Sequence, residues 1–117
     1  MDDLYREIIL DRYENPQNRG VIKDGKEAKE VNLMCGDKLK ITVKIEKGVV
    51  KDAKFEGGGC AISMAGVDLL LDKIKGMKLS EVKKMSGSEI EKMMGVELTA
   101  ARKRCAYLGL EVLKKLG

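Results

Sequence analysis

KLKITVKIEKGVVKDAKFE, residues 38–56, is the stretch on which the fold turns. Leu39, Ile41, Val43 and Ile45 alternate with Lys40, Thr42, Lys44 and Glu46, the period of a half-buried antiparallel strand. Lys47-Gly48 predicts a tight turn into a second strand over Val49 to Glu56. Working outward, a further strand is expected near Lys29 to Asn32, and Gly57-Gly58-Gly59 is expected to end the sheet. Helices flank it. Asp3 to Glu14 is amphipathic, with Leu4, Tyr5, Ile8, Ile9 and Tyr13 near the helical period, and Asn15-Pro16 stops it. Cys60 opens an apolar helix to about Ile74 that belongs between the sheet and another layer. Short helices are expected over Leu79 to Met85 and Ser88 to Met94, with Ser88 and Glu91 as a capping box. A last helix runs from about Thr99 to Lys115, with Cys105, Leu108 and Val112 on one stripe. This order predicts an α+β fold, with helices packed mainly on one face of an antiparallel sheet.

At 117 residues the chain suits one domain, residues 1–117. Hydrophobic residues are 44% of it and aromatics 3%, so the core must be built from Leu, Ile, Val, Met and Ala. The net charge of +4 arises from 23 basic and 19 acidic residues spread along the chain, without the basic patch and stacking aromatics of a nucleic-acid binder. No apolar run approaches the roughly 20 residues that span a bilayer. Met1-Asp2-Asp3 carries the wrong charge for the first segment of a signal peptide. The expectation is a cytoplasmic protein without nucleic-acid or membrane partners. Three cysteines argue against a closed disulfide framework and for reduced thiols. With no histidine in the chain, histidine-dependent acid–base or nucleophile pairs are excluded.

The cysteines occupy unusual settings. Cys35-Gly36-Asp37 precedes the long strand, Cys60 follows three glycines at a helix start, and Cys105 follows Arg102-Lys103-Arg104. A helix N-terminus favours an anion at Cys60, glycines let backbone N–H groups approach a bound ion, and three cationic neighbours favour a thiolate at Cys105. Asp37 adds a hard oxygen two residues from Cys35. Cys35, Asp37, Cys60 and Cys105 thus offer three soft ligands and one carboxylate, suited to tetrahedral zinc or an iron–sulfur cluster. Plain alternatives stand beside each: Cys105 as a core residue, Cys60 as a small residue at a tight turn, and Cys35-Gly36-Asp37 as an Asp-capped turn. The spacing matches no short zinc signature.

The strings YREIILDRYENPQNRG, CGDKLKITVKI, VVKDAKFEGGGCAISMAG and KRCAYLGLEVL, in that order, resemble the IscU/NifU-like (SufU-related) iron–sulfur cluster assembly scaffolds over nearly the whole chain. The resemblance implies a three-stranded antiparallel sheet with helices packed against it. It implies a scaffold or carrier rather than an enzyme, with sulfurtransferase activity as a further capacity. Such a protein takes persulfide sulfur from a cysteine desulfurase, combines it with iron into a cluster, typified by 2Fe-2S, and passes it to apo-proteins. It further implies Cys35, Cys60 and Cys105 as ligands and persulfide acceptors, and Asp37 as the residue that keeps the cluster labile. Zinc (Zn2+) commonly fills the same site in such scaffolds. Where many members carry a histidine before the last cysteine, this chain has Arg104, a substitution that resembles the branch acting as zinc-bound sulfur acceptors, although residues 61–104 are too few for that branch's extra segment. Arg104 is expected to support sulfur transfer, either pairing with Asp37 when the site is empty or steadying an incoming persulfide. The Leu-Pro-Pro-Val-Lys chaperone motif of bacterial IscU has Leu98-Thr99-Ala100-Ala101-Arg102 in its place. A homodimer bridging a cluster is compatible with so few ligands per chain.

Overall fold

The alternating stretch forms the central strand. In the computed structural model, which describes residues 3–32, 36–95 and 98–116, β2 (Asp37–Glu46) lies between β1 (Lys26–Asn32) and β3 (Val49–Gly58), antiparallel to both. Leu39, Ile41 and Val43 are buried while Lys38 and Lys44 are exposed, so alternation in sequence has become alternation of faces. Lys47 and Gly48 both take positive φ (52° and 78°), the turn whose twist suits a two-residue hairpin. β1 begins at Lys26 rather than Lys29, because its charged residues pair along the whole register from Lys26 opposite Val43 to Asn32 opposite Asp37.

Among the described residues there are also four helices and one short helical turn: α1 (Asp3–Glu14), α2 (Ala61–Ile74), α3 (Leu79–Val82), α4 (Gly87–Met94) and α5 (Ala100–Lys114). α2 and α5 pack on the inner face of the sheet and on each other, and α1 and α4 pack against α2. Met64, Val67, Leu70, Leu71 and Ile74 from α2 join Leu108, Val112 and Leu113 from α5 and Ile41, Val43 and Phe55 from the sheet in one core. Along α1, Ile9 is buried but Tyr13 is 44% exposed, so its apolar stripe is narrower than its composition suggests. The capping box of α4 lies two residues earlier than Ser88 and Glu91: the Glu89 carboxylate accepts the Ser86 N–H at 2.9 Å. Among the described residues no helix is long and apolar enough to cross a membrane.

Between α1 and β1 the chain must travel from the β3 edge of the sheet to the β1 edge. Residues 18–20 first run beside β3, where Phe55 N–H donates to Asn18 O and Gly20 N–H to Phe55 O, at 2.9 and 2.8 Å. The chain then crosses the outer face, where the Ile22 N–H donates to the Thr42 hydroxyl at 2.9 Å and buries it. One acid anchors the start of this crossing. Asp68, wholly buried on α2, accepts the backbone N–H groups of Gln17 and Asn18 at 3.0 and 2.8 Å and the guanidinium of Arg12 at 2.9 Å. Asn18 in turn donates to Asp68 O and to the Asp72 carboxylate, and accepts from Lys75. Asp68 thereby satisfies donors that the proline-broken chain exposes.

Asp68→Ala strands these buried donors and leaves Arg12 without its main partner, so a loss of about 3 kcal/mol in urea unfolding is expected. Asp72 gives the clamp a pH signature. Burial pushes its carboxyl up, but hydrogen bonds from Asn18 and Arg12 and the charges of Arg12 and Lys75 pull it below the ordinary carboxylate value. Its contribution is therefore full above that ordinary value and vanishes as pH falls through the lowered one. Asp72→Asn should flatten that part of the acid limb of a stability-versus-pH curve and leave the neutral region's slope unchanged.

Candidate metal centre

Three chain segments meet at one end of the sheet. β2 starts at Asp37, β3 runs out at Gly58, and Lys38 pairs with Gly58, one residue on from Asp37 and two before Cys60. β3 extends to Gly58 instead of stopping at the first glycine. Gly57 takes φ 144°, and a Cβ there would lie 2.0 Å from the Lys38 carbonyl oxygen. Glycine at 57 serves a close approach of two strands. Arg19 fastens the same point by donating to Gly57 O at 3.0 Å.

Cys60 caps α2. Its backbone is extended (φ −72°, ψ 163°), and its sulfur accepts the Ser63 N–H at 3.4 Å. The first turn of α2 has no acidic residue to compete for the positive end of the helix. Ser63 is buried, and its hydroxyl lies 3.4 Å from the Cys60 sulfur while donating to the Cys105 carbonyl at 3.2 Å. One side chain thus joins the first turn of α2 to the second turn of α5. A turn further along both helices, a Cβ on Gly109 would lie 3.0 Å from Val67, so glycine is what allows α2 and α5 so near.

α5 is capped by the Thr99 hydroxyl, which accepts the Arg102 N–H at 3.4 Å. Cys105 is 2% exposed, on the buried stripe with Leu108 and Val112, whereas Arg102, Lys103 and Arg104 are exposed. Lys103 reaches Glu91 of α4 at 3.5 Å, which removes Glu91 from the purely solvated face that its sequence suggests.

The structure therefore brings Cys60 and Cys105 together through Ser63, and puts the backbone of Asp37 beside the strand end that leads into Cys60. Cys35 lies outside the described residues, in the connection between β1 and β2. Among the described residues no three His, Cys, Asp or Glu side chains form a metal group; the side chains of Cys35 and Asp37 are not among those described. Of the expected ligands, Cys60 sits where a thiophilic cation would suit it, a sulfur at a helix N-terminus accepting the Ser63 N–H, and Cys105 meets the same serine through its backbone carbonyl. Sequence reasoning missed Ser63. Its signal was a polar residue at the third helical position after a cysteine cap, inside an otherwise apolar helix.

A model of the NifU-like N terminal domain family matches residues 4–116. The zinc-dependent sulfurtransferase SufU of Bacillus subtilis is 46% identical over 76 residues, 65% of this chain and 52% of that protein. The iron–sulfur cluster assembly scaffold protein IscU of Thermotoga maritima is 44% identical over 79 residues, 67% of this chain and 56% of that protein. The chain thus spans little more than half the length of these two relatives. Among solved structures, a SUF-system cluster assembly scaffold from Fervidobacterium islandicum superposes with a TM-score of 0.83 at 25% identity, covering 94% of this chain and 93% of that one. The N-terminal part of a NifU-like protein from Brucella abortus gives 0.78 at 20% identity, over 98% and 92% of the two chains, a likeness of fold.

The two described cysteines should respond differently to serine in the metal-free protein. Cys60→Ser keeps a capping side chain and should leave the unfolding midpoint nearly unchanged. Cys105→Ser puts a hydroxyl on a buried apolar stripe and should cost about 1–2 kcal/mol in urea unfolding.

Proposed function

The chain belongs to the NifU-like N terminal domain family, and from that premise we propose that it is a scaffold for iron–sulfur cluster assembly. It accepts sulfur from a cysteine desulfurase, combines it with iron, and delivers the cluster to apo-proteins. The observation that carries this reading is the joining of Cys60 and Cys105 through Ser63, at the end of the sheet where β2 begins at Asp37. The scaffold IscU of Thermotoga maritima, at 44% identity, supports it. We read residues 1–117 as one scaffold domain, working in the cytoplasm, where a reducing environment keeps its thiols available.

Cys35, Cys60 and Cys105 are the sulfur acceptors. A cysteine thiolate attacks the outer sulfur of the desulfurase persulfide, forming a new persulfide here and releasing the desulfurase thiolate. Conversion of that sulfur to sulfide takes two electrons, supplied by a thiol reductant. The helix end at Cys60 and the Ser63 N–H favour negative charge on the attacking sulfur. Arg104, exposed beside Cys105, steadies the charge of an incoming persulfide. The cluster, typified by 2Fe-2S, is cargo held by Cys35, Cys60, Cys105 and Asp37; the carboxylate is the more exchangeable partner for iron and eases release.

A second reading has a specific observation in its favour. Arg104 stands where a histidine ligand is common, and the SufU of Bacillus subtilis is named a zinc-dependent sulfurtransferase. On this reading the same four residues hold Zn2+, which would keep the thiols deprotonated.

Anaerobic incubation with desulfurase, cysteine, iron and a thiol reductant separates the two. The scaffold turns red-brown with iron–sulfur absorption and a Mössbauer signature, and serine at Cys35, Cys60 or Cys105 abolishes the colour. Asp37→Ala should slow cluster loss to an apo-acceptor severalfold. A chain that stays colourless, retains zinc and carries persulfide on one cysteine is instead the sulfur acceptor.

A further inference from the structure

Ser63 is the residue at this site that neither composition nor ligand chemistry demands. It is 3% exposed, sits in the first turn of α2, and touches both described cysteine residues at once. A hydroxyl has one hydrogen and two lone pairs. With its hydrogen on the Cys105 carbonyl, as the 3.2 Å contact requires, it offers a lone pair toward the Cys60 sulfur 3.4 Å away. Once that sulfur binds a cation it is an acceptor only, and the hydroxyl hydrogen has a better partner there than a helix carbonyl. The carbonyl can release it, because within α5 the Cys105 C=O is also in position to accept a helical N–H from Gly109.

We propose that Ser63 is a positioning residue of the metal centre: its hydroxyl holds Cys60 against α5 before loading and donates to the Cys60 sulfur after it. This rests on the metal-binding reading above. The Ser63 N–H already donates to that sulfur, so the loaded ligand would be held by two donors of the same residue. Donors to a ligating sulfur withdraw charge from it, fix its direction, and tune how tightly the metal is held. The α2–α5 approach at Gly109 and Val67 keeps the hydroxyl within reach of both partners. Ser63 touches no incoming sulfur or recipient protein in this account; it acts through Cys60.

The test is a titration of the metal-free chain with cobalt(II), whose thiolate charge-transfer bands report on the sulfur ligands. Ser63→Ala removes one oxygen and keeps the N–H, so its metal-free form should retain the far-UV circular dichroism of the parent. Its cobalt affinity should fall by about 10–100-fold, the range for loss of a hydrogen bond to a metal ligand. Its charge-transfer band should shift in energy, a change that loosened packing alone would not produce. Ser63→Thr restores the hydroxyl and should restore band position and affinity. Unchanged band and affinity in Ser63→Ala, with the parent binding cobalt, would overturn the role of Ser63 and leave the scaffold reading standing. A parent chain that takes up no cobalt would overturn the metal-centre reading and the Ser63 role with it. A Ser63→Ala chain that fails to fold, with Ser63→Thr folded but shifted in band position, would assign the hydroxyl to the fold and overturn the proposal.

Discussion

The site depends on how closely α2 and α5 approach. Gly109 faces Val67 so closely that a Cβ there would lie 3.0 Å from a Val67 methyl carbon. One turn back along each helix, Ser63 spans the remaining gap to the Cys105 carbonyl. A Cβ at position 109 would have to displace the Val67 methyl by a few tenths of an ångström, and a larger side chain would strain the packed interior further. A shift of even an ångström there would lengthen the hydroxyl contact past bonding distance. A packing constraint in the apolar core thus sets the separation of two sulfur-bearing residues at its edge.

The polar clamp around Asp68 fixes α2 from its other side. α2 carries the Cys60 cap at its start and Asp68 two turns later, so the chain leaving α1 is tied to the same rod that positions the thiol. A buried carboxylate is costly unless its partners surround it, and here two backbone N–H groups, an amide and a guanidinium do so. That set can form only if α1 ends where Pro16 ends it. The proline, the asparagine after it and an acid some fifty residues later form one device. Its local effect is to route the chain over the outer face of the sheet and leave the inner face to the helices.

Much of this was legible in residues 38–56, because a strand with one buried face must alternate, and Leu39, Ile41 and Val43 fix which face that is. The caps were legible in part: Cys60 and Thr99 stand before their helices, whereas the box at Ser86 and Glu89 was displaced by two residues, since several serines and acids there satisfy the same pattern. What escaped sequence reasoning was every feature made by distant partners. Asp68 reads as an oddity in an apolar run, Ser63 as a neutral helix residue, and Gly57 as part of a flexible tract. Each takes its meaning from a neighbour 19 to 50 positions away or more, the Lys38 carbonyl, the Cys105 carbonyl and the Asn18 amide, which no local pattern encodes. Cys35 lies outside the described residues, so its part in the site stands on sequence alone.

The strand register adds a last step. Leu39, Ile41 and Val43 of β2 pack toward α2 and α5. Slipping β2 by one residue against its neighbours would turn that buried set outward, at a cost of several kilocalories in lost burial. The same core that stabilises the sheet therefore fixes the phase in which β2 meets the helices. Cys60 and Cys105 are placed by two helices pressed together, and the start of β2 by the phase of a strand. Sheet and helix pair reach this end of the molecule by separate packing constraints, so a change in one would move its residues without unfolding the other.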